Sequence, residues 1–226
     1  MKKIIVATLT TGTRNATFNE CLKSLQVLTN ISGYQIDILV VENNQYPDEH
    51  VRKIINTFDK SERCVQHLLE PIRGIPHARN AALNFAKDKG YNYLAFIDDD
   101  AFASLDWIKT LVKVNKNAHV TAGPQLAIFP EGTSSFYRNA VIYHERKVTD
   151  GAAIKWAATN NILIDMYFIK DNKLSFNPEL INGGEDKELF LRVNKLGGKL
   201  VWSESAVVSE YIAQSRLSVA WAISSL

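Results

Sequence analysis

Tyr93-Leu94-Ala95-Phe96-Ile97-Asp98-Asp99-Asp100 runs five apolar or aromatic residues straight into three carboxylates. The apolar part reads as a strand buried on both faces, as in a mainly parallel sheet flanked by helices. Acids at the carboxyl end of such a strand stand where open α/β sheets bind their ligands. Adjacent carboxylates raise one another's pKa, so the cluster is costly unless a cation sits on it. A hard divalent ion, Mg²⁺ or Mn²⁺, suits oxygen donors of this kind. The competing reading is a solvated acidic turn.

The flanking sequence extends the same pattern on both sides. Ile4 to Leu9 reads as a first strand, and Phe18, Cys21, Leu22, Leu25 and Leu28 follow at helical spacing. Ile36 to Val41 is a second strand. Pro47-Asp48 opens a helix bearing Val51, Ile54, Ile55 and Phe58, and Cys64 to Leu69 is a third strand. A helix with Pro76 in its first turn runs to Gly90, and Leu105, Ile108, Leu111 and Val112 mark a helix after the acids. This alternation predicts right-handed crossovers. From about 120 to 180, glycine and proline pairs break the chain into short aromatic-rich pieces, expected to be irregular with a few strands. Regular spacing returns with Leu189, Phe190, Val193 and Leu196, and strands are expected at Lys199 to Trp202 and Ala206 to Val208.

The chain has 226 residues, 46% hydrophobic and 22% charged, which is ample for a buried core. With 26 basic and 24 acidic residues, nothing demands a nucleic-acid partner. Cys21 and Cys64 lie in apolar patterns and read as buried reduced thiols, which points to the cytoplasm. The opening Met1-Lys2-Lys3-Ile4-Ile5-Val6 starts like a leader, but Gly12 and Arg14 break it, so it reads as a strand. No window is long enough for a membrane span. The tail from Ile212 to Leu226 is mildly amphipathic. Packing on the domain, facing a partner and peripheral contact with the inner face of a membrane all remain open for it.

Several polar groups collect at the predicted carboxyl edge. Thr8, Thr10, Thr11, Gly12 and Arg14 follow the first strand and can donate to a base or phosphate. Glu42-Asn43-Asn44 ends the second strand, suited either to a ribose or to ordinary turn chemistry. Gly74 precedes a helix carrying Arg79, which can meet phosphates, hold the acids or lie on the surface. Gly183-Gly184-Glu185-Asp186 opens a later helix, where a carboxylate serves as N-cap, as base or as both.

Together these pieces resemble the family 2 glycosyltransferases of the GT-A fold, which move a sugar from a nucleoside diphosphate to an acceptor hydroxyl. The resemblance runs from Ile4 to about Arg216. It rests, in order, on the threonine-rich exit of strand one, Val40-Val41-Glu42-Asn43-Asn44, Gly74 with Ala78-Arg79-Asn80, Phe96-Ile97-Asp98-Asp99-Asp100, Ala158-Thr159-Asn160-Asn161, and Gly184-Glu185-Asp186 with Arg192. The implied fold is a Rossmann-like GT-A domain over 1–226. Its nucleotide-sugar half is about 1–118, and its more irregular acceptor half, carrying the base, is about 119–226.

The resemblance implies a metal-dependent, inverting transferase of polysaccharide or glycoconjugate synthesis, using Mn²⁺ or Mg²⁺. Asp100 would hold the metal and Asp98 the nucleoside side, with Asp99 between them. Thr8, Thr10, Arg14, Glu42 and Arg79 would line the donor site. Asp186 would be the catalytic base, with Trp156, Asn160, Gly184 and Glu185 on the acceptor side. Trp156, Trp202 and Tyr211 each stay open between stacking on a sugar and packing in the core. There are two departures from the family pattern. Glu42 stands where aspartate is common, and Val208-Ser209-Glu210-Tyr211 stands where many members place a histidine ligand, leaving Glu210 as an oxygen ligand.

The expected partners are a nucleoside-diphosphate sugar and a carbohydrate or lipid-linked acceptor, with no nucleic acid; oligomeric state is left open. Three alternatives compete. A sugar-phosphate nucleotidyltransferase would use Gly12-Thr13-Arg14, but the glycines that wrap a triphosphate are missing. A non-catalytic nucleotide-sugar binder could lose Asp186 freely. A phosphatase with a carboxylate nucleophile needs its acids on the first strand.

Overall fold

A computed structural model describes residues 1–58, 60–140, 143 and 148–218. A seven-stranded sheet is built from β1 (Lys2–Thr10), β2 (Tyr34–Glu42), β3 (Val65–Leu69), β4 (Tyr93–Asp98), β6 (Val120–Ala122), β8 (Asn161–Asp165) and β9 (Leu200–Trp202). Their order is β3-β2-β1-β4-β8-β6-β9. All neighbours pair in parallel except β8, which runs antiparallel to both β4 and β6. A small second sheet joins β5 (Ala101–Ala103), β10 (Val208–Tyr211) and β7 (Gln125–Ile128), with β10 in the centre.

The continuous apolar runs of β1, β2 and β4 are explained by burial on both faces. Along β1, Ile4 and Val6 pack against α1 (Asn15–Gln26), α2 (Glu49–Asn56) and α4 (Trp107–Val114). Ile5 and Ala7 pack on the other side against α3 (Ile75–Asp88), α6 (Met166–Asp171) and α7 (Glu185–Lys195). A short α5 (Ser135–Arg138) lies between β7 and β8. The expected helix starts hold. Asp48 caps α2 by accepting from His50 N and Val51 N, a contact typically worth about 1 kcal/mol. Pro76 sits in the first turn of α3.

Four expectations change. Leu105 precedes α4 and is exposed, while Trp107 is fully buried with its indole N–H donating to Asn161 Oδ1 at 2.7 Å. Cys64 is exposed; only Cys21 is buried, where desolvation pushes its thiol pKa up. The last strand starts at Val208 rather than Ala206. Within the stretch read as irregular, β8 lies in mid-sheet, and its position is fixed by pairing with β4 and β6 rather than by local sequence. The amphipathic tail falls largely on 219–226, outside the described residues; Gln214–Arg216 forms a single 3-10 turn. Among the described residues no helix is long and apolar enough to cross a membrane.

Candidate active site

The carboxyl edge of the large sheet delivers the acids. β4 ends at Asp98, half-buried, and the chain turns through Asp99 and Asp100, both buried, into β5. Burial, reinforced by the charge of Asp100, pushes the Asp98 carboxyl from 3.8 up to about 6, against the opposing pull of Arg79. Burial also raises Asp99, opposed by Arg14 and by a hydrogen bond from Thr10. Glu210 on β10 sits beside them, raised first by burial and then by Asp100.

Two arginines from distant parts of the chain sit on this cluster. Arg14 pairs with Asp100, and its Nη2 lies 2.9 Å from Asp99 Oδ1. Arg216 pairs with Glu210, and its Nη2 lies 3.4 Å from Asp100 Oδ2. Glu210 also accepts from Gln125, whose carbonyl accepts from Asn160, so Asn160 is tied to the acids through one side chain. A cavity of about 320 Å³ opens on Arg14, Asp100, Tyr211 and Arg216.

The second acidic motif begins α7. Gly184 holds φ +87°, a left-handed conformation that other residues adopt only with strain, and it turns the chain into the helix. Glu185 is then buried, paired with Arg79, and its Oε2 has no hydrogen-bond partner among the described residues. The Arg79 guanidinium lies 5.6 Å from the Phe176 ring centroid. Asp186 is half-buried, its Oδ1 accepting the adjacent Lys187 N–H at 2.6 Å. Lys187 Nζ stands 5.5 Å over the ring of Trp156. Trp156 lines a cavity of about 510 Å³ with Ile154, Lys155, Asn160 and Trp202. Near it, the carbonyl of Ala206 approaches Gly123 so closely that a Cβ there would lie 2.3 Å away.

The structure therefore brings together Arg14, Asp98, Asp99, Asp100 and Glu210. It adds Arg79 with Glu185, and it sets Lys187, next to Asp186 in the chain, over the Trp156 ring. Two residues expected on the donor side are enclosed by the fold. Thr8 has no exposed surface and its hydroxyl lies 4.0 Å from Cys21 Sγ, inside the layer under α1. Glu42 is equally enclosed, its oxygens taken by Asp48 N, Asn44 Nδ2 and His67 Nε2. Thr10 is buried as well and acts on Asp99 and on Gly12 N. Arg216, Gln125 and Phe176 were not singled out by sequence; each is an isolated residue whose role comes from a contact across the fold.

As they stand, no three histidine, thiol or carboxylate groups among the described residues close on a metal ion. The donor set nevertheless suits a hard cation. Four carboxylates, Asp98, Asp99, Asp100 and Glu210, meet only the two guanidinium groups of Arg14 and Arg216 in direct pairs.

Comparison with known proteins gives a consistent picture. Residues 4–171 match the family model for glycosyl transferase family 2. The succinoglycan biosynthesis protein ExoM of Rhizobium meliloti (strain 1021) is 26% identical over 209 residues, which cover 89% of this chain and 65% of that protein. S. aureus TarS 1-349 in complex with UDP superposes with a TM-score of 0.64 at 16% identity, covering 94% of this chain and 61% of that one. GalNAc-T7 with UDP, GalNAc and Mn²⁺ gives 0.72 at 17% identity, over 94% and 44% respectively. The chain thus spans less than two thirds of the length of each of these proteins, and the structural matches establish the fold as GT-A.

Proposed function

Because the chain belongs to glycosyl transferase family 2, we propose that it moves a sugar from a nucleoside-diphosphate sugar to an acceptor hydroxyl, with inversion at the anomeric carbon. The observation that carries this reading is Arg79, paired with Glu185 beside the candidate base and close enough to Asp98 to act on its charge. One guanidinium thereby links the acids of the first half to those of the second. The UDP bound to TarS and to GalNAc-T7 supports a nucleotide donor here as well.

In this reading the donor diphosphate lies at the arginine-bearing cavity beside Asp100, and the acceptor sugar enters the separate Trp156 cavity. Asp186 accepts the proton of the acceptor hydroxyl as that oxygen attacks C1. The bond from C1 to the phosphate oxygen breaks, and the nucleoside diphosphate leaves with its electron pair. Arg14 and Arg216, drawn away from their carboxylates, meet its phosphates. A divalent cation held by Asp100 and Glu210 would supply further charge to offset the leaving group, with Asp98 toward the nucleoside. Glu185, fixed by Arg79, orients the start of α7. The half at about 1–118 then serves mainly the donor and that at about 119–226 mainly the acceptor, with Glu210 and Arg216 reaching back to the donor side, at a cytoplasmic location.

The test combines a melting screen with turnover. UDP, GDP or dTDP with Mn²⁺ should raise the melting temperature by mass action, and the matching sugar conjugate with an acceptor glycan should release nucleoside diphosphate. Stabilisation without release would mark a binder rather than a transferase. Absence of stabilisation by all three nucleotides would remove the donor site.

A further inference from the structure

The opposite edge of the sheet, where β1, β4, β6 and β9 begin and β8 ends, carries charge of the other sign. Lys2 and Lys3 open β1, and Lys170 of α6 reaches the same edge. Three helices bring their carboxyl ends there, each with two lysines: Lys87 and Lys89 at α3, Lys113 and Lys116 at α4, Lys195 and Lys199 at α7. All nine are exposed, and among the described residues no ion pair joins any of them to a carboxylate.

Three carboxylates share this edge and offset part of the charge: Asp88 and Asp171 are exposed, and Asp165 caps α6 through Tyr167 N while also acting on Lys2. His119 accepts the Lys199 N–H on Nδ1. At the far end Lys60 and Glu62 balance, and Arg63 is turned inward onto the carbonyls of Gln26 and Leu28. Lysines at helix carboxyl ends complement the helix dipole, but each end is equivalent to only about half a negative charge. Three ends therefore offset about one and a half charges, well short of the six lysines placed on them. Since the whole chain carries only +2, this edge is a positive pole set against the acids of the catalytic edge.

The pole has a shape as well as a sign. Lys2, Lys87 and Lys170 ring a cavity of about 320 Å³ walled by Tyr91, Tyr93 and Tyr167, with Asp165 as the one acid in its lining against three lysines. Lys2 Nζ donates to Tyr93 Oη at 3.3 Å, and Tyr167 is 77% exposed. From β1 to β9 the edge spans five strands, roughly 19 Å. An exposed tyrosine among lysines on a broad rim matches a membrane–water boundary, where the ring enters the headgroup layer and the ammonium groups meet lipid phosphates.

We propose that this edge docks the protein on a bilayer surface rich in anionic lipid, with lipid phosphates at the cavity formed by Lys2, Lys87 and Lys170. The nine residues of β1 then hold the catalytic edge about 30 Å from the lipid, opening toward solution. Resting on the transfer reaction proposed above, this orientation calls for an acceptor glycan that extends well away from the membrane rather than a sugar lying at its surface.

Sedimentation of the full chain with vesicles tests the docking. Binding is expected to phosphatidylcholine mixed with phosphatidylglycerol and not to phosphatidylcholine alone, and it should weaken as salt shortens the Debye length. Lys2→Gln, Lys87→Gln and Lys170→Gln combined should weaken it about a hundredfold. Removing the same charge at Arg73, Lys109 and Arg138, which lie away from this edge, should leave it unchanged. If the triple variant does not fold, Tyr167→Ser, which removes only an exposed ring, should still reduce binding. Equal binding to both vesicles, no binding to either, an equal loss in the control variant, or binding to soluble polyphosphate without binding to mixed vesicles would each overturn the proposal. No donor, acceptor or metal enters the measurement, so its outcome is independent of the transferase reading.

Discussion

The two edges of one sheet handle charge in opposite ways. At the carboxyl edge Asp99, Asp100 and Glu185 are nearly closed off from water, and each is held by an arginine from another part of the chain. At the amino edge the lysines stand in solvent with no ion pairs among the described residues. The difference follows from desolvation. A buried charge must be matched inside the protein, whereas an exposed one is stabilised by water and stays available to an outside partner. A ligand at the carboxyl edge therefore has to take over an arginine, while a ligand at the amino edge meets lysines that no ion pair holds among the described residues.

The comparison can be broken most directly at the proposed base. Asp186→Asn should lower transfer about a thousandfold while donor binding, read by melting temperature, stays near that of the unchanged protein. Turnover within a few-fold of normal would take Asp186 out of the mechanism. Arg79→Met should lower stability by about 3 to 5 kcal/mol in urea unfolding, because Glu185 would be left charged and unpaired in a buried site. A loss no larger than that of an exposed lysine variant would erase the contrast between the edges.

Asp98 gives a pH test whose sign is fixed by its raised pKa. The folded state holds this proton more tightly than the unfolded chain does. Its stabilising contribution is complete below 3.8 and is lost as pH rises through about 6. Without metal, Asp98→Asn should therefore gain stability over the unchanged protein above pH 6, by up to about 3 kcal/mol, and the gain should fade toward pH 4. A pH-independent difference would contradict the burial argument.

Smaller effects sharpen the picture. Arg216→Gln removes a guanidinium from the carboxylates proposed to hold the cation, so Mn²⁺ should bind about tenfold tighter by calorimetry in the absence of nucleotide. Weaker binding would mean that Arg216 helps the metal rather than competing with it. Gly184→Ala should cost about 1 to 2 kcal/mol through left-handed backbone strain alone, since a Cβ there meets no neighbour within 4 Å. A neutral result would show that α7 can start in another conformation.

Much of this was legible in the chain. The apolar runs of β1, β2 and β4 announce strands buried on both faces, and Asp48 and Gly184 mark helix starts through local chemistry. The acids at Asp98 to Asp100 and the Glu185-Asp186 pair were legible for the same reason, since their types and flanks carry the signal. β8 was not legible as a mid-sheet strand, because five residues with polar ends look the same at an edge, in a loop or between two strands. Thr8 and Glu42 looked like rim residues from their place at strand ends, and only the layers packed over them show that they are enclosed. The arginines on the acidic cluster were hidden as well. Arg14 meets Asp100 across 86 positions and Arg216 meets it across 116, and no local pattern records a contact so distant in sequence.

The sequence by itself determined the alternation of strands and helices and the identity of the acids, because backbone preference, burial period and capping are local properties. Only the tertiary structure decided which cations face those acids, which polar residues are sealed off, and that the lysines of five separate segments share one edge. Electrostatic neighbours are set by how strands are ordered across a sheet, and that order is fixed by the packing of the whole chain.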